Sequence, residues 1–507
     1  MALAVAKPGV LNRTDHEPTP SWFAQPVFVT GSIAVLVGVF YGWLSLARFW
    51  RMQAGVDLAI YTQAVQHYER FQWPFSGVKG IDGFNLLGDH FSPVIALLAP
   101  IYKVWPHAWV LLVAQAVLVA LATFVIGMAG VETLGVRSGA AVAVIYGLAW
   151  GTQGLALFDF HEVAFALPLL ALIYVRLLRH QHLAAAMWSL PLMLVKEDSV
   201  FLVLGVVLVL LVRRRFAGAF ALAVYAVSSF ALIVFVIMPR LSYYGRYTYW
   251  SSSAAGSGSQ IIANAVSNVE RAVSSGAAPL LVLVLLAPTL GIALRSPLIL
   301  GLVPPLLSRL TSPDETYWGL WFHYNGTITL IIAVALIDGL RRVQEQRGAK
   351  ASGRLALAGF AATVLLLPWA PASGVARSVF AYCDRCDTQI PQALNAVPNG
   401  ARVAAADAFA AYLVDRTALF GIHEGLLDST GRPIQPQFIV IDKSEVSGWQ
   451  MKWNSAQRGE ANFVLVTEHV SMGVPPDRWD VAVFVPRTVW NRLFLPAAQR
   501  AATHPPS

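Results

Sequence analysis

Ionisable side chains that could carry out acid–base chemistry or bind an anion lie beside the apolar segments of this chain. They occur in separate short stretches: Asp57, then Asp89 with His90, then Asp159, His161 and Glu162, then Lys196, Glu197 and Asp198. If the apolar segments cross a membrane in alternating directions, all of these stretches fall on one face of the bilayer. Ionisable groups beside membrane spans are costly to keep and commonly mark a site. The spacing therefore predicts a functional site at one membrane face.

The composition is that of a protein that crosses a membrane many times. Hydrophobic residues make up 56% of the 507 residues and charged residues only 13%, with a mean hydropathy of +0.59. The 16 Trp and 15 Tyr suit the aromatic belts of membrane interfaces. A net charge of +8 would suggest nucleic acid in a soluble chain, but arginine-rich cytoplasmic loops account for it here. We expect an α-helical polytopic membrane protein without a nucleic-acid partner.

Apolar windows predict about eleven transmembrane helices between residues 27 and 369. The windows are 27–48, 108–129, 138–156, 163–178, 183–195, 199–212, 217–238, 278–294, 297–309, 324–340 and 353–369. They leave a tail at 1–26, a long first loop at 49–107 and a more polar segment at 370–507. The first window is long enough to remain as a span, so we expect no cleaved signal peptide.

Basic residues predict which side of the membrane is cytoplasmic. Successive loops on one side carry Arg137, Arg176, Arg179, Arg213 to Arg215, Arg295, Arg341 and Arg342. The positive-inside rule makes that side cytoplasmic, together with the N-terminal tail. An odd number of spans then puts residues 370–507 outside the cytoplasm. Arg48 and Arg51 depart from this bias at the outer end of the first span, where Arg51 could meet an anionic substrate group.

The segment 370–507 has the pattern of a small extracytoplasmic α/β domain. Strand-like runs occur at 402–405, 437–442, 462–468 and 479–486, with helix-like stretches at 406–414 and 489–500. Cys383 and Cys386 are the only cysteines of the chain. An oxidising compartment favours a local disulfide between them. Metal binding would need two more ligands, and a thiol-redox role would need a strand-to-helix context that the pattern does not show.

Asp57 stands at the start of a helix-like run, Gly55 to Val65, that we expect to lie along the outer membrane surface. As the N-cap of that helix, its carboxylate would satisfy free backbone N–H groups. As a general base, the same carboxylate would accept a proton from a substrate hydroxyl at the membrane face. The sequence leaves both interpretations open.

The other outer stretches also allow a structural and a functional interpretation. Asp89 and His90 stand between turn-forming residues, yet the pair could orient a base, bind a substrate hydroxyl or contribute to a metal site. Asp159 and Glu162 have the spacing of a capping box, which leaves His161 unexplained. Lys196 is unfavourable at a helix start, so it either reaches toward the lipid head groups or binds phosphate, with Glu197 beside it.

Two later outer loops are rich in aromatic residues. The run 240–250 contains Arg246 and is followed by a Ser/Gly-rich stretch that could close over a substrate. The run 316–325 contains His323 at the outer end of a predicted span. An aromatic belt explains both runs, and stacking of sugar rings on their side chains is the alternative.

Taken together, these features resemble the GT-C superfamily of integral-membrane glycosyltransferases. The runs 56–64, 89–93 and 195–198 resemble more closely an uncharacterised bacterial family of multi-pass proteins described as predicted membrane proteins, and the likeness extends over most of residues 25–370. The superfamily implies a polyprenyl-phosphate sugar donor and a catalytic carboxylate in the first outer loop, which corresponds here to Asp57. The loop has no D-x-D or E-x-D motif, so no metal or other cofactor is expected.

The resemblance and the residues lead to one functional hypothesis. The protein would sit in the bacterial plasma membrane and transfer a sugar from a polyprenyl-phosphate carrier to an extracytoplasmic glycan, lipid or protein acceptor. Asp57 would be the base, and the substrate contacts would be Arg51, Asp89, His90, His161, Glu162, Lys196, Glu197, Arg246 and His323. A lipid or glycan transporter and a non-catalytic envelope-assembly protein are the alternatives, although no internal repeat supports transport.

Overall fold

The computed structural model describes residues 21–80, 83–249, 258–383, 385–422, 436–442, 463–468 and 481–486. The predicted N-terminal tail up to residue 20, most of the Ser/Gly-rich stretch and the predicted helix at 489–500 lie outside these residues. The helices of the first half are α1 (Ser21–Trp50), α2 (Val56–Glu69), α3 (Leu86–Asp89), α4 (Ala99–Val104), α5 (Trp109–Leu134), α6 (Val136–Leu148), α7 (Trp150–Leu157), α8 (Ala166–Leu178), α9 (His182–Ser189), α10 (Val200–Val212), α11 (Phe216–Leu232) and α12 (Met238–Leu241).

The second half begins with helices and ends in a sheet. Its helices are α13 (Gly258–Ser274), α14 (Ala277–Leu286), α15 (Val303–Leu310), α16 (Gly326–Arg347), α17 (Ala349–Leu366), α18 (Pro371–Phe380), α19 (Ile390–Asn395) and α20 (Asp407–Leu413). Its strands are β1 (Arg402–Ala405), β2 (Ala418–Gly421), β3 (Phe438–Asp442), β4 (Phe463–Glu468) and β5 (Val481–Pro486). The expected mostly helical, membrane-type architecture with a small C-terminal sheet is therefore present.

Each of the apolar windows coincides with helical structure, but many of the helices are short. Within the described residues, four segments are long and apolar enough to cross a bilayer alone: Gln25–Trp50, Trp109–Leu134, Phe216–Leu241 and Ala349–Trp369. Two bent pairs, Val136–Leu148 with Trp150–Leu157 and Ser259–Ser274 with Ala277–Thr289, raise the number to six. Of the other windows, 183–195 and 297–309 combine a short α-helix with a 3₁₀ turn that has proline near its start, because proline removes a backbone donor. The number of spans thus stays a prediction.

Helix α16 forms the centre of the bundle. Its residues from Gly326 to Leu340 are all buried, and it packs on α5, α6, α7, α8 and α17. An all-round apolar helix of this kind is buried on every side rather than amphipathic. Its first turn lies at the end of the bundle that carries His323, and its last turns carry Arg341 and Arg342 at the other end.

Charges separate to the two ends of the bundle. At one end, the C-terminal turns of α5, α8 and α10 meet through an Arg179–Glu132 ion pair and a bond from Arg213 to the Leu177 carbonyl. At the same end, the buried Asp338 carboxylate binds Arg341 at 2.7 Å and Arg342 at 3.1 Å. The N-terminal ends of α8, α10 and α16 carry Glu162, Glu197 and His323 at the opposite end. The arginines of the predicted cytoplasmic loops and the site residues Glu162, Glu197 and His323 are therefore a helix length apart.

Helix α2 does not lie on an open surface. Its residues Leu58 to Val65 are all buried, and it packs against α4 on one side and α20 of the C-terminal segment on another. Polar bonds fix the junction: the Gln63 amide donates to the Leu419 carbonyl at 3.0 Å, and Tyr412 accepts from the Ala54 N–H at 2.6 Å. The expected helix is therefore present and packs between α4 and the C-terminal segment, and its position along the membrane surface stays a prediction.

The C-terminal sheet has the strand order β2-β1-β3-β5-β4. β1 pairs with β2 and β3 in parallel, whereas β5 pairs antiparallel with β3 and β4. The four strand-like runs of the sequence became β1, β3, β4 and β5, and the helix-like run 406–414 became α20. β2 was not anticipated, because its Ala-Leu-Phe-Gly run is too short to stand out. Cys383 and Cys386 form a disulfide, as expected.

Candidate functional site

A cavity of about 330 Å³ opens at the acidic end of the bundle. Its walls come from α2, from Lys79, Leu86, Asp89 and His90 of the first loop, and from the segment that precedes α16. The lining residues are Asp57, Ile60, Tyr61, Lys79, Leu86, Asp89, His90, Phe158, His161, Lys196, Tyr249, Asp314, Thr316, Tyr317, Phe322, His323 and Tyr324. Acidic, basic and aromatic side chains thus face one small volume.

Asp57 faces a pair of stacked histidines. Its Oδ2 lies 3.6 Å from His161 Nε2, and the His161 and His323 rings stack with centroids 3.7 Å apart. His161 Nδ1 lies 3.1 Å from the Asp159 carbonyl oxygen, which can only accept, so Nδ1 carries the proton. Nε2, on the other side of the ring, then faces the Asp57 carboxylate.

Burial sets the protonation preferences of this group. Burial raises the pKa of Asp57, and His161 only partly offsets that effect. Burial, with His161 and Lys196 nearby, holds the pKa of His323 well below its usual range, so the ring is neutral. His323 Nδ1 is buried and has no hydrogen-bond partner among the described residues. The cavity therefore contains a carboxylate that holds protons more tightly than usual beside a neutral imidazole.

Asp57 is not a helix cap. The N-cap position of α2 is Gly55, and Asp57 is the second residue of the helix. The Gly55 N–H donates instead to Asp159 Oδ1 at 3.0 Å, and Asp159 also pairs with Arg48. The capping interpretation of Asp57 is therefore wrong, and its carboxylate is left facing the cavity.

Asp159 and Glu162 do not form a capping box either, because both make tertiary contacts. Asp159 joins α1 to the start of α2, as described above. Glu162 is fully buried, receives the Tyr61 hydroxyl and pairs with Lys196 at 3.0 Å. Burial would raise the pKa of Glu162, but Lys196 and neighbouring histidines outweigh it and lower the pKa to about 2. The carboxylate is ionised and holds Lys196 in place.

Lys196 and His90 each have a buried acidic partner. Burial would lower the pKa of Lys196, but Glu162, Asp198 and Glu197 raise it well above its usual range. His90 Nδ1 lies 2.9 Å from Glu197 Oε1, and the other oxygen of Glu197 accepts from the Phe91 N–H at 2.9 Å. These bonds fasten the cavity loop to the start of α10. Both cations are therefore counter-ions as well as cavity-lining groups.

Asp89 is shared between two partners at the cavity mouth. Its carboxylate pairs with Lys79 at 3.0 Å and accepts from the Tyr249 hydroxyl at 3.0 Å. The Tyr249 ring stacks on His90 with centroids 4.5 Å apart. The segment after α12 thus lies across the loop that carries Asp89 and His90, and Tyr249 closes part of the cavity.

The structure gathers most of the residues singled out from the sequence. Asp57, Asp89, His90, His161, Lys196 and His323 line the cavity, and Glu162 and Glu197 lie directly behind it. Arg51 is elsewhere: its guanidinium pairs with Asp387 at 2.7 Å and with the Ala381 carbonyl. Arg246 is exposed and is not a lining residue. The substrate roles of all ten residues stay predictions.

Lys79 is the main site residue that sequence reasoning missed. It lies in a glycine-flanked run of the first loop, and neither its type nor its spacing distinguishes it from a solvated loop lysine. Tyr61 was missed because it lies in an ordinary helical run, and Tyr317 and Tyr324 because an aromatic belt explains their segment. All three line the cavity. Within the described residues, no group of three or more His, Cys, Asp or Glu side chains is arranged to hold a metal ion.

Comparison with known proteins supports the fold. Residues 48–470 match a family described as "Predicted membrane protein (DUF2079)". No curated protein matches the chain. The solved structure of ArnT from Cupriavidus metallidurans, bound to undecaprenyl phosphate, is similar with a TM-score of 0.51 at 11% identity. The likeness covers 92% of this chain and 98% of that chain, and it shows a GT-C-like fold.

Proposed function

The chain belongs to the DUF2079 family of predicted membrane proteins, and from its GT-C-like fold and its cavity we propose that it is a membrane glycosyltransferase. It transfers a sugar from a polyprenyl-phosphate carrier to a cell-envelope acceptor outside the cytoplasm. The fold shared with ArnT, whose structure contains undecaprenyl phosphate, supports a lipid-phosphate partner. The observation that carries the proposal is the Asp57 carboxylate in one cavity with the ammonium groups of Lys79 and Lys196.

The transfer needs a proton acceptor and an anion-binding group. An acceptor hydroxyl attacks the anomeric carbon of the sugar, a new carbon–oxygen bond forms, and the bond to the phosphate oxygen breaks. The hydroxyl proton passes to Asp57, and the electron pair of the broken bond leaves with the polyprenyl phosphate. Because the phosphate departs as an anion, it needs nearby cations more than it needs a proton.

Asp57 suits the role of base because of its surroundings. Its raised pKa makes the carboxylate a stronger base than an exposed aspartate. Water and the departing phosphate are the final proton acceptors, so the carboxylate is regenerated.

Lys79 is the more accessible of the two candidate phosphate contacts. The Lys79 side chain is 33% exposed and pairs with Asp89, whereas the Lys196 side chain is 10% exposed and pairs with the buried Glu162. A phosphate that enters the cavity can replace Asp89 as the ion-pair partner of Lys79, because Asp89 still accepts the hydrogen bond from the Tyr249 hydroxyl. Lys196 stays paired with Glu162, and its positive charge at the cavity wall attracts the phosphate.

Transfer from a panel of polyprenyl-phosphate sugars by the purified protein tests the proposal. Asp57→Asn keeps the shape of the side chain but cannot act as a base, so turnover should fall by about 10²–10⁴-fold. Glu132→Gln, at the basic end of the bundle, is the matched control and should keep wild-type turnover. A folded Asp57→Asn protein with more than about a tenth of wild-type transfer would rule out Asp57 as the base.

A further inference from the structure

A second cleft is lined by other residues of α2 and of the first loop than those that line the cavity. It has a volume of about 570 Å³, within the range of about 300–1,000 Å³ that small-molecule sites occupy. Its walls are the C-terminal half of α2, the first-loop residues Phe75, Gly77 and Gly83, and the segment from Val414 to Phe420 before and within β2. We propose that this cleft binds an anionic carbohydrate, which serves as the acceptor side of the proposed transfer.

The cleft is preformed rather than an accidental gap. The Gln66 amide donates to the Val414 carbonyl at 3.1 Å, and the Gly421 N–H donates to the Gly77 carbonyl at 3.1 Å. A Cβ atom at Gly77 would lie 2.6 Å from the Leu419 carbonyl oxygen, so the loop and β2 approach as closely as backbones can. These cross-contacts hold the walls at a fixed separation, which lowers the cost of ordering a ligand.

The charges of the cleft favour an anion. Asp415 is its acidic lining residue, and both of its oxygens are occupied, by the Tyr102 hydroxyl at 2.9 Å and the Ala108 N–H at 2.8 Å. Arg416 is held by the carbonyls of Leu394 and Val397. Arg70 is exposed at the end of α2 and has no ion pair or side-chain hydrogen bond within the described residues. One guanidinium fork is therefore available for a carboxylate or phosphate group.

The remaining surface suits a sugar ring better than a bare anion. Phe75 is half-buried and meets the His67 ring edge-on at 5.8 Å, which gives an apolar platform next to Arg70. Sugars stack on such platforms through their C–H faces, while hydroxyl groups can reach polar side chains such as Thr417. The cleft is open to solvent, so a longer glycan chain can extend out of it.

The position of the cleft connects it to the proposed chemistry. Helix α2 presents Asp57 and Tyr61 to the cavity and Gln66 and Arg70 to the cleft. The same loop presents Lys79 to the cavity and Phe75, Gly77 and Gly83 to the cleft. The cavity and the cleft therefore share both α2 and the first loop as walls. This acceptor role rests on the proposed glycosyltransferase function, whereas the binding itself does not.

Binding of defined oligosaccharides to the full-length protein in detergent, without donor, tests the inference. A uronic-acid tetrasaccharide should bind at least about tenfold more tightly than a neutral hexose tetrasaccharide, and added salt should weaken its binding. Arg70→Ala should weaken uronate binding by about fivefold or more, and Arg70→Glu should weaken it further. Arg137→Ala, an exposed arginine at the other end of the bundle, is the control and should bind like wild type.

The outcomes separate this inference from the proposed function. Equal affinity for the charged and neutral tetrasaccharides, no measurable binding of either, or wild-type binding by Arg70→Glu would each overturn the cleft assignment. Asp57→Asn should bind the uronate as well as wild type, because Asp57 lines the other cavity. If transfer fails in every assay but Arg70-dependent binding persists, the cleft stands as a glycan site and only its acceptor role is lost.

Discussion

At the scale of single residues, Lys196 and Lys79 look alike in the sequence but are held differently. Lys196 neutralises a fully buried carboxylate, so Lys196→Ala leaves the Glu162 charge without its cation, with the Tyr61 hydroxyl still bound to it. Removing one partner of a buried pair typically costs about 3–5 kcal/mol. We expect a clear loss of thermal stability in Lys196→Ala, which the double variant Lys196→Ala/Glu162→Gln should partly restore. Additive losses in the double variant would contradict this pairing.

Lys79 should behave in the opposite way. Its side chain is 33% exposed, so Lys79→Ala should change stability little. If Lys79 contacts the donor phosphate, the same change should raise the donor KM or lower kcat/KM by roughly tenfold or more. Steady-state kinetics at fixed acceptor concentration measures the effect. Unchanged donor kinetics would leave Lys79 as no more than the counter-ion of Asp89.

The raised pKa of Asp57 predicts a specific pH dependence. The base form exists only above that pKa, so transfer should decline on acidification at a higher pH than the ordinary aspartate value of about 3.9. Because the folded state disfavours the charged form, Asp57 lowers stability as the pH rises through its raised pKa. Asp57→Asn should therefore be as stable as wild type at pH 7, or slightly more stable. A lower melting temperature for Asp57→Asn would contradict the stated burial effect.

The sequence was informative about which residues gather and uninformative about how they pair. Asp57, His161 and His323 could be named because ionisable groups stand out against apolar windows. The Glu162–Lys196 and His90–Glu197 pairs could not, since their partners are 34 or more residues apart and depend on how the helices pack. Arg51 was proposed as an anion contact because it lies on the predicted outer side, where the positive-inside rule disfavours arginine. In the structure its guanidinium binds Asp387.

At the scale of elements, the contact between α3 and the end of α12 controls the cavity mouth. A Cβ atom at Gly88 would lie 2.3 Å from the Ser242 backbone nitrogen, and backbone cannot yield as a side chain can. Gly88→Ala should therefore separate the two elements, cost about 1–3 kcal/mol and loosen the Tyr249–Asp89 bond. Thermal denaturation and donor KM measure the two effects.

A glycine elsewhere provides the control for that prediction. Gly218 lies in α11 with open space around its Cβ position. Gly218→Ala should be neutral or stabilising by up to about 1 kcal/mol, because alanine is the better helix former. If Gly88→Ala proves as benign as Gly218→Ala, the close contact does not constrain the mouth.

The sequence predicted helices and strands best where their formation does not depend on packing against other parts of the chain. Each apolar window is helical in the structure, because the hydrophobicity of a segment by itself determines whether the segment enters the membrane. The breaks at Pro191 and Pro297 and the bend between α6 and α7 depend on neighbouring helices that can satisfy the freed backbone groups. The burial of α2 was likewise beyond the pattern, since its covering residues lie in the C-terminal sheet.

At the scale of the whole molecule, the topology remains to be tested. Reporter fusions near Arg214 and Arg342 should give a cytoplasmic signal, and those near Gly400 an extracytoplasmic one. The collection of acidic groups at one bundle end and basic groups at the other agrees with this arrangement. A cytoplasmic signal at Gly400 would overturn the predicted number of spans and the placement of the cavity outside.

The clamped position of α2 has a consequence for biogenesis. Gln63 finds its partner Leu419 356 residues further along the chain. At about 5–20 residues per second, a ribosome needs roughly 20–70 s to reach that partner after α2 has been made. During that interval the apolar face of the helix that carries Asp57 has no C-terminal sheet to cover it. The nascent protein must shelter this helix at the lipid surface or on a chaperone, so the proposed catalytic element becomes native only when synthesis is nearly complete.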